Sequence, residues 1–316
     1  MGIWFSISMW IGIIVPLRAE RPEGNLKTNA QEFRFSFSKS MLREFNENDA
    51  KASMRVWVEN LSRERHVAVD PEVKILDGIA ALTKALQLER ADAFVLPTDE
   101  FWALHLPKMF DQCIFAVTGG TVTEEYVLLV HQAGGIATLG DLRYRSLALL
   151  DHSRMCLAGP WLDSLLLQEK LAPAMRHFGR ITAVSKLTKA TLPVFFRQMD
   201  ACVVTRKGFD TMAELNPQLG KQLRVLAFSP ALVPTAFYFR SACAPEIKNR
   251  MIAEVARIHD SIAGRQVLTV FQTERLEERP LSCLAPSIDL LETHQQLLAA
   301  FNALRLTNRN VSLLDE

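Results

Sequence analysis

Several short apolar segments of the sequence end in polar side chains that could bind a small molecule. Ser38 follows the segment FRFSF, and Thr98 and Asp99 follow the segment ADAFVL. Buried strands of parallel sheets are short apolar runs of this kind, and ligands bind beyond their carboxyl ends. These three residues are therefore candidate ligand-binding groups. Each also has a structural explanation, because Ser, Thr and Asp are favoured in turns and as helix N-caps.

A second set of polar residues accompanies apolar segments in the later half of the chain. Asp151, Ser153 and Arg154 follow the segment LALL, and Thr205 ends the segment ACVVT, which Asp200 precedes. A guanidinium pairs bidentately with an acidic group, so Arg154 beside the Ser153 hydroxyl predicts an anionic ligand. Asp151 would suit a polar or cationic group instead. The structural alternatives are a surface arginine at position 154 and a turn carboxylate at position 200.

Motifs that carry out catalysis are missing from the sequence. It has no Gly-rich phosphate loop, no GxSxG and no HExxH, and its seven histidines show no metal-ligand spacing. His152 and Cys156 are four residues apart, but a Cys–His pair without a third, orienting group is weak support for a nucleophile. We therefore predict a protein without a catalytic residue, a metal site or a cofactor.

The five cysteines are predicted to be structural. None forms a CxxC pair, and Cys113, Cys202 and Cys243 lie in apolar runs, which is typical of small buried side chains. An odd count excludes complete pairing within one chain. One disulfide remains open in an oxidising compartment, and the sequence does not assign it.

The amino-acid composition is typical of a globular protein and argues against a nucleic-acid partner. The 316 residues are 49% hydrophobic, and 36 basic residues against 35 acidic ones give a formal net charge of +1. Nucleic-acid-binding domains usually carry a basic excess. The length allows one large domain or two ordinary ones.

The apolar N-terminal sequence predicts that the protein is exported from the cytoplasm. Residues 3–17 are almost wholly apolar, and the first formal charge is Arg18. A run of about 15 residues is shorter than the ~20 that span a bilayer as a helix. Pro16 and Ala19 then favour a signal peptide over residues 1–19, a linker over 20–32 and a periplasmic protein. An uncleaved membrane anchor and a buried strand are the alternatives.

Beyond the linker, apolar strand-like segments alternate with helical ones in two successive series. This alternation predicts two α/β lobes joined by two crossing segments, with a ligand cleft between them. The predicted boundaries are 33–117 plus 236–316 for lobe 1, 127–226 for lobe 2, and 118–126 and 227–235 for the hinge segments.

Three stretches, in this order, resemble the phosphonate-type periplasmic substrate-binding proteins of ABC transporters. They are FSFSKSMLREFNENDAKASMRVWVENLSRE (35–64), the segment around ADAFVLPTDEFWAL (78–104) and LGDLRYRSLALLDHSRMCLAGPWL through VFFRQMDACVVTRKGFDTM (139–212). With the later PALVPTAFYFR, the resemblance spans about residues 33–275.

The resemblance implies a type II periplasmic-binding-protein fold and delivery of an anionic small molecule to a membrane permease. Such proteins hold the anion with hydroxyls and backbone amides at helix starts. Members similar to this chain carry a Ser-Thr-Ser-Gly-like run after the first strand of lobe 2. Here that place reads Asp151-His152-Ser153-Arg154-Met155-Cys156, so the ligand need not be a phosphonate. A ligand-sensing partner of a membrane sensor protein, or an enzyme on the same fold, is the alternative.

Overall fold

The computed structural model describes the backbone of residues 32–312 and the side chains up to Arg305. The predicted signal peptide and all of the predicted linker except Glu32 lie outside the described residues. Within the described part of the chain, no helix is long and apolar enough to cross a membrane.

Between residues 32 and 312, eleven strands form two separate sheets. In chain order they are β1 (Phe35–Ser38), β2 (Lys74–Leu76), β3 (Ala93–Pro97), β4 (Phe110–Val117), β5 (Tyr126–His131), β6 (Ser146–Leu150), β7 (Arg180–Val184), β8 (Ala201–Thr205), β9 (Leu223–Phe228), β10 (Thr235–Arg240) and β11 (Arg275–Arg279). The first sheet has the order β11-β4-β10-β3-β1-β2, and the second has the order β7-β6-β8-β5-β9. Both sheets are mixed: β1 is parallel to β2 and β3, whereas β10 is antiparallel to β3 and β4.

In the same described part of the chain, eleven α-helices cover the sheets. They are α1 (Glu47–Arg65), α2 (Gly78–Gln87), α3 (Thr98–Ala103), α4 (Ala158–Gln168), α5 (Ala174–His177), α6 (Leu187–Phe195), α7 (Arg206–Leu215), α8 (Pro217–Gln222), α9 (Pro245–Ala256), α10 (Ile262–Val270) and α11 (Ala285–Ser312). We refer to the first sheet with α1–α3, α9 and α10 as the first lobe, and to the second sheet with α4–α8 as the second lobe.

Alternating side chains give the first sheet two buried faces. Phe35 and Phe37 of β1 and Val95 of β3 share one face with Met54 and Trp57 of α1. On the opposite face, Phe94 and Leu96 of β3 pack with Phe115 and Tyr238. Since neighbouring residues of a strand point to opposite faces, a strand such as ADAFVLP must be apolar throughout to sit at the centre of the sheet.

The segment AKASMRVWVENLSRE (50–64) predicts a helix with an N-cap at Asn48 or Asp49 and with Met54, Trp57 and Leu61 on one face. Helix α1 begins three residues earlier than this prediction, at Glu47. The Asn46 side chain accepts hydrogen bonds from the backbone N–H groups of Asn48 (2.9 Å) and Asp49 (3.3 Å), so the N-cap is Asn46 and not Asn48 or Asp49. Met54, Trp57 and Leu61 form the buried stripe, as predicted, and the helix packs against α10.

Two crossings connect the lobes. The chain passes from β4 to β5 and returns from β9 to β10. The two connecting segments pair with each other, because Glu124 and Leu232 exchange backbone hydrogen bonds of 2.7 and 2.9 Å. The crossings therefore run side by side where a hinge would lie.

The last helix departs from the expectation that the C-terminal helices pack on the first lobe alone. Helix α11 packs mainly against α4 of the second lobe and also against α3 of the first. At its start, Ser287 Oγ accepts a hydrogen bond from Val233 N–H (2.8 Å) within the return crossing. On its side, His294 Nε2 lies 3.2 Å from Asp163 of α4.

Candidate ligand-binding site

The loop that follows β6 faces the first lobe and holds a carboxylate of the same chain. Ser153 is buried, and its backbone N–H donates to Glu44 Oε2 at 3.0 Å. The Ser153 hydroxyl donates to the other oxygen of the same carboxylate, Oε1. Two donors of one residue thus hold an anionic group, and hydrogen bonds of this type are about twice as strong as neutral ones.

Glu44 lies in the turn that leads from β1 into α1, in the first lobe. Its contact with Ser153 therefore joins the two lobes across the cleft. Sequence reasoning did not single out Glu44, because the two residues are 109 positions apart and only the folded chain brings them together. A second contact joins the same loops, since Arg43 Nη1 lies 3.0 Å from Asp151 Oδ1.

His152 completes the surroundings of the Glu44 carboxylate. Its Nδ1 accepts a hydrogen bond from Arg154 N–H (3.1 Å) and lies 3.5 Å from Glu44 Oε1. Burial, the largest influence, lowers the pKa of His152, although Glu44 opposes this effect. The ring is thus neutral at pH 7 and acts as a cap for the Arg154 backbone.

Arg154 reaches across the cleft without meeting a carboxylate in bidentate geometry. Its Nη2 donates to the backbone carbonyl of Gln272 at 2.5 Å, in the first lobe. Its Nη1 lies 3.5 Å from Glu124 Oε1, in the crossing segment. Burial raises the pKa of Glu124, and Arg154 partly offsets this rise. The guanidinium therefore has donors left for a ligand.

Thr98 is a structural residue of the crossing. Its backbone N–H donates to Pro234 O at 2.7 Å, and its hydroxyl donates to Val233 O at 2.7 Å. Both donors are therefore used to hold the return segment against the end of β3.

Asp99, the next residue, is a carboxylate without full hydrogen bonding. Its Oδ1 is buried and has no hydrogen-bond partner among the described residues. Burial, followed by the charge of Glu100, raises the pKa of Asp99 to about 6. Glu100 is in a similar position, since its Oε1 accepts from the Ser40 hydroxyl at 2.6 Å while its Oε2 is buried without a partner.

Ser38 ends β1 and is fully buried. Its hydroxyl accepts a hydrogen bond from Ser40 N–H at 3.1 Å and caps the short 3₁₀ turn over Lys39–Leu42. The hydroxyl of Ser36, two residues earlier on the same face of the strand, is buried without a partner in the described structure. At the ends of β1 and β3, the first lobe thus presents carboxylate and hydroxyl groups.

Asp200 and Thr205 lie at opposite ends of β8. Asp200 Oδ2 accepts from the backbone N–H (2.8 Å) and the hydroxyl (2.6 Å) of Ser146, at the start of β6. Since Ser153 follows the other end of β6, the structure places Asp200 away from the Glu44–Ser153 contact. Thr205 caps α7 by accepting from Gly208 N–H at 3.2 Å.

The Cys156 thiol has no nucleophilic character. It donates to Pro234 O at 3.2 Å, and burial raises its pKa well above the usual value, so the thiolate is not populated at pH 7. All five cysteines are free thiols, and the described residues contain no cluster of three or more His, Cys, Asp or Glu that could hold a metal ion.

An apolar cavity of about 880 Å³, its open mouth included, lies beside the Glu44–Ser153 contact. Its walls come from β1, β3, β4 and β10 of the first sheet and from α1, α9 and α10. Ser153 and Arg154 are the two residues that the second lobe contributes to its lining. Sequence reasoning did not find this cavity, because its lining residues have the pattern of an ordinary core.

Solved structures share this two-lobed arrangement. A binding protein component of an ABC phosphonate transporter from Pseudomonas aeruginosa aligns at a TM-score of 0.57 and 15% identity, over 85% of this chain and 89% of that one. XAC2383 from Xanthomonas citri, bound to ATP, aligns at 0.61 and 15%, over 84% and 98%. PhnD1 from Prochlorococcus marinus (MIT 9301), in complex with methylphosphonate, aligns at 0.54 and 12%, over 84% and 98%. The predicted type II periplasmic-binding-protein fold is confirmed.

A comparison with curated protein sequences found no match. The family model for the phosphonate periplasmic substrate-binding protein of ABC transporters matches residues 40–279, three quarters of the chain. Two sheets flanked by helices, two crossings between them and a cleft-facing anion contact agree with that match. This chain therefore belongs to the family of phosphonate-type periplasmic substrate-binding proteins of ABC transporters, which bind solutes.

Proposed function

We propose that this protein binds a small anionic solute between its two lobes and presents it to a membrane permease outside the cytoplasm. The observation that carries the proposal is the Glu44 carboxylate on Ser153. A backbone N–H and a hydroxyl that converge on one carboxylate suit a carboxylate or phosphonate of a ligand equally well. Glu44 satisfies two donors of Ser153. A buried donor that is left unpaired costs about 1–3 kcal/mol.

Ser153 and Arg154 are the proposed partners of the acidic group. Among the described residues, the Arg154 guanidinium contacts one backbone carbonyl and one carboxylate oxygen, so it can turn toward an anion held by Ser153. Asp151, Asp99 and Ser38 are proposed contacts for polar substituents next to the acidic group of the solute. Thr98, Asp200 and Thr205 hold the frame through the hydrogen bonds described above, and we do not assign them to the ligand.

Closure about segments 118–126 and 227–235 is the proposed conformational step. Glu124 and Leu232 tie these two segments together, so they can bend as one unit. Hinge closure of this kind encloses a ligand between two rigid lobes. An N-terminal signal peptide over residues 1–19, as the apolar segment predicts, would place the protein outside the cytoplasm.

A thermal-shift screen of the full chain tests the proposal. The panel contains alkylphosphonates, phosphate esters, sulfonates, carboxylates and amino acids. A ligand at about 100 times its Kd adds roughly 2.7 kcal/mol to the free energy of unfolding, enough to raise Tm by several degrees. We expect an anion to give this shift and Ser153→Ala or Arg154→Ala to abolish it.

The matched controls are Ser62→Ala and Arg63→Ala, a Ser-Arg pair that is exposed on α1. Both controls should retain the full shift. A shift that survives Ser153→Ala and Arg154→Ala would contradict the proposed site. If no anion in the panel raised Tm, the proposed function would be contradicted.

A further inference from the structure

The first lobe contains an apolar cavity that its own core does not fill. Phe35, Met54, Trp57, Val95, Val267 and Leu268 line its interior. Protein interiors are packed as densely as organic crystals, and an empty apolar cavity forfeits dispersion contacts along its walls. The cavity opens to solvent on one side, as small-molecule pockets do, and most of the side chains that line it are apolar.

Aromatic rings surround the part of the cavity that faces the second lobe. Phe271 stacks on Phe37 at 6.1 Å between ring centroids and meets Phe45 edge to face at 5.3 Å. Phe237 packs against Phe37 at 6.2 Å. These rings present apolar surface directly beside Ser153 and Arg154, which line the same cavity.

Polar character is confined to the edge of this space. Of the described residues that line the cavity, Arg154 alone carries a charge, and Ser153, Thr235 and Thr273 supply hydroxyls. A charged or strongly polar group placed among the phenylalanines would lose its hydration without a hydrogen bond, at a cost of several kcal/mol. An acid at the edge, in contrast, meets the Ser153 donors and the guanidinium.

We propose that the solute is an amphipathic anion, with one acidic head group on Ser153 and Arg154 and a hydrocarbon body in the cavity of the first lobe. The inference rests on the proposed function for the head group, and it adds the apolar body. The head group displaces the Glu44 carboxylate from Ser153, and the body fills space between the first sheet and helices α1 and α10.

Calorimetric titration of the full chain with acetate, hexanoate, decanoate and neutral decanol tests the inference. Each buried methylene contributes about 0.8 kcal/mol, so Kd should fall up to about fourfold per carbon along the carboxylate series. Decanol should bind far more weakly than decanoate, because it has no charge for Arg154.

The variant Ala116→Phe places a ring into the cavity from β4, where Ala116 is partly exposed and lines the space. This variant should remove the increase in affinity with carboxylate chain length and leave the Kd of the shortest carboxylate unchanged. Ala183→Phe is the matched control, since Ala183 lies exposed on β7 of the second lobe. Because Ala116→Phe can also impair folding, quenching of tryptophan fluorescence by 10-bromodecanoate provides a second measurement. The quenching should decrease in Trp57→Phe.

The outcomes separate the inference from the function on which it rests. Carboxylates that bind through Ser153 with a Kd independent of chain length, or quenching unchanged in Trp57→Phe, would overturn the apolar subsite and leave the proposed function intact. Binding that is as tight for decanol as for decanoate and insensitive to Ser153→Ala would overturn the proposed function and the amphipathic anion with it.

Discussion

At the scale of single residues, the main feature of the cleft is that a carboxylate of the chain itself occupies the Ser153 donors. At the proposed site, an anionic solute would compete with Glu44 for the same N–H and O–H groups. The competition lowers the apparent affinity, because the free energy of the Glu44 contact is lost when the solute binds. Glu44 thereby limits binding to solutes that gain additional contacts elsewhere in the cleft.

Glu44→Gln should therefore tighten anion binding. A neutral amide pairs less strongly with two donors than a carboxylate does. We expect Kd for the anion found in the screen to fall about tenfold, which corresponds to ~1.4 kcal/mol, as measured by calorimetric titration. Glu47→Gln is the control, because Glu47 pairs with exposed Lys51 on α1. A larger Kd for Glu44→Gln would show that Glu44 contacts the solute directly and does not compete with it.

Asp99 gives a prediction on the pH dependence of stability. Its pKa is about 6 in the folded chain, against an ordinary value of 3.8. The folded state therefore holds the proton more tightly, and the free energy of unfolding decreases as the pH rises from about 4 to 6. Asp99→Asn should remove this decrease and stabilise the protein at pH 8 by up to about 3 kcal/mol.

Urea denaturation of both proteins between pH 3 and 8 measures the effect, and the two should converge at the acid end, where Asp99 is protonated. Asp210→Asn, at an exposed carboxylate on α7, is the control and should leave the pH profile unchanged. Parallel profiles for Asp99→Asn and the original chain would contradict the assignment.

At the scale of secondary-structure elements, the close contact of α10 with the preceding turn is a sensitive point. A Cβ atom on Gly264 would lie 1.8 Å from the Ile258 carbonyl oxygen, so a side chain there must displace the backbone. We expect Gly264→Ala to lower the free energy of unfolding by about 1–3 kcal/mol. Because α10 lines the apolar cavity, ligand affinity should fall as well.

The matched control is Gly159→Ala in α4, where a Cβ would have nothing within 4 Å. Alanine is the better helix former by about 1 kcal/mol, so this variant should be as stable as the original chain or more stable. Denaturant titration of both variants measures the difference. Equal stability of the two variants would contradict the steric explanation.

The sequence predicted the apolar strands but missed one polar edge strand. The segments FRFSF, ADAFVL, LALL and ACVVT correspond to β1, β3, β6 and β8, because each is a short apolar run between turn residues. Strand β11 was missed because its sequence RLEER has one apolar residue, as an exposed edge strand allows. Its place is determined by pairing with β4, which no local pattern encodes.

The site was predictable only in part for a similar reason. Ser153 and Arg154 stand out because they follow an apolar strand, and the structure places both between the lobes. Glu44 and the cavity could not be predicted, since one depends on a contact between distant loops and the other on how helices pack over a sheet. Asp200 precedes the segment ACVVT in the sequence, and the structure places it at the amino end of β8, where it pairs with Ser146.

At the scale of the whole molecule, three hydrogen-bonded pairs of described residues tie the lobes together across the cleft. They are Glu44 with Ser153, Arg43 with Asp151 and Arg154 with Gln272. Replacing both Arg43 and Glu44 with Gln should therefore open the cleft. Small-angle scattering should record a larger radius of gyration for this double variant, and a saturating anion should reduce it again. The control is the double variant Glu47→Gln with Lys51→Gln, and an unchanged radius in the test variant would contradict closure through these contacts.

Helix α11 changes what kind of motion the lobes can make. A pair of crossing strands alone would permit free rotation about one axis, but α11 begins beside the return crossing, at Ser287, and packs on both lobes. Its larger contact is with α4, where His294 meets Asp163, so the helix should travel with the second lobe. Opening then requires α11 to slide along α3, which adds a shear component to the hinge. Packed helices slide only short distances before their side chains must change grooves, so the C-terminal helix sets the limit to which the cleft can open.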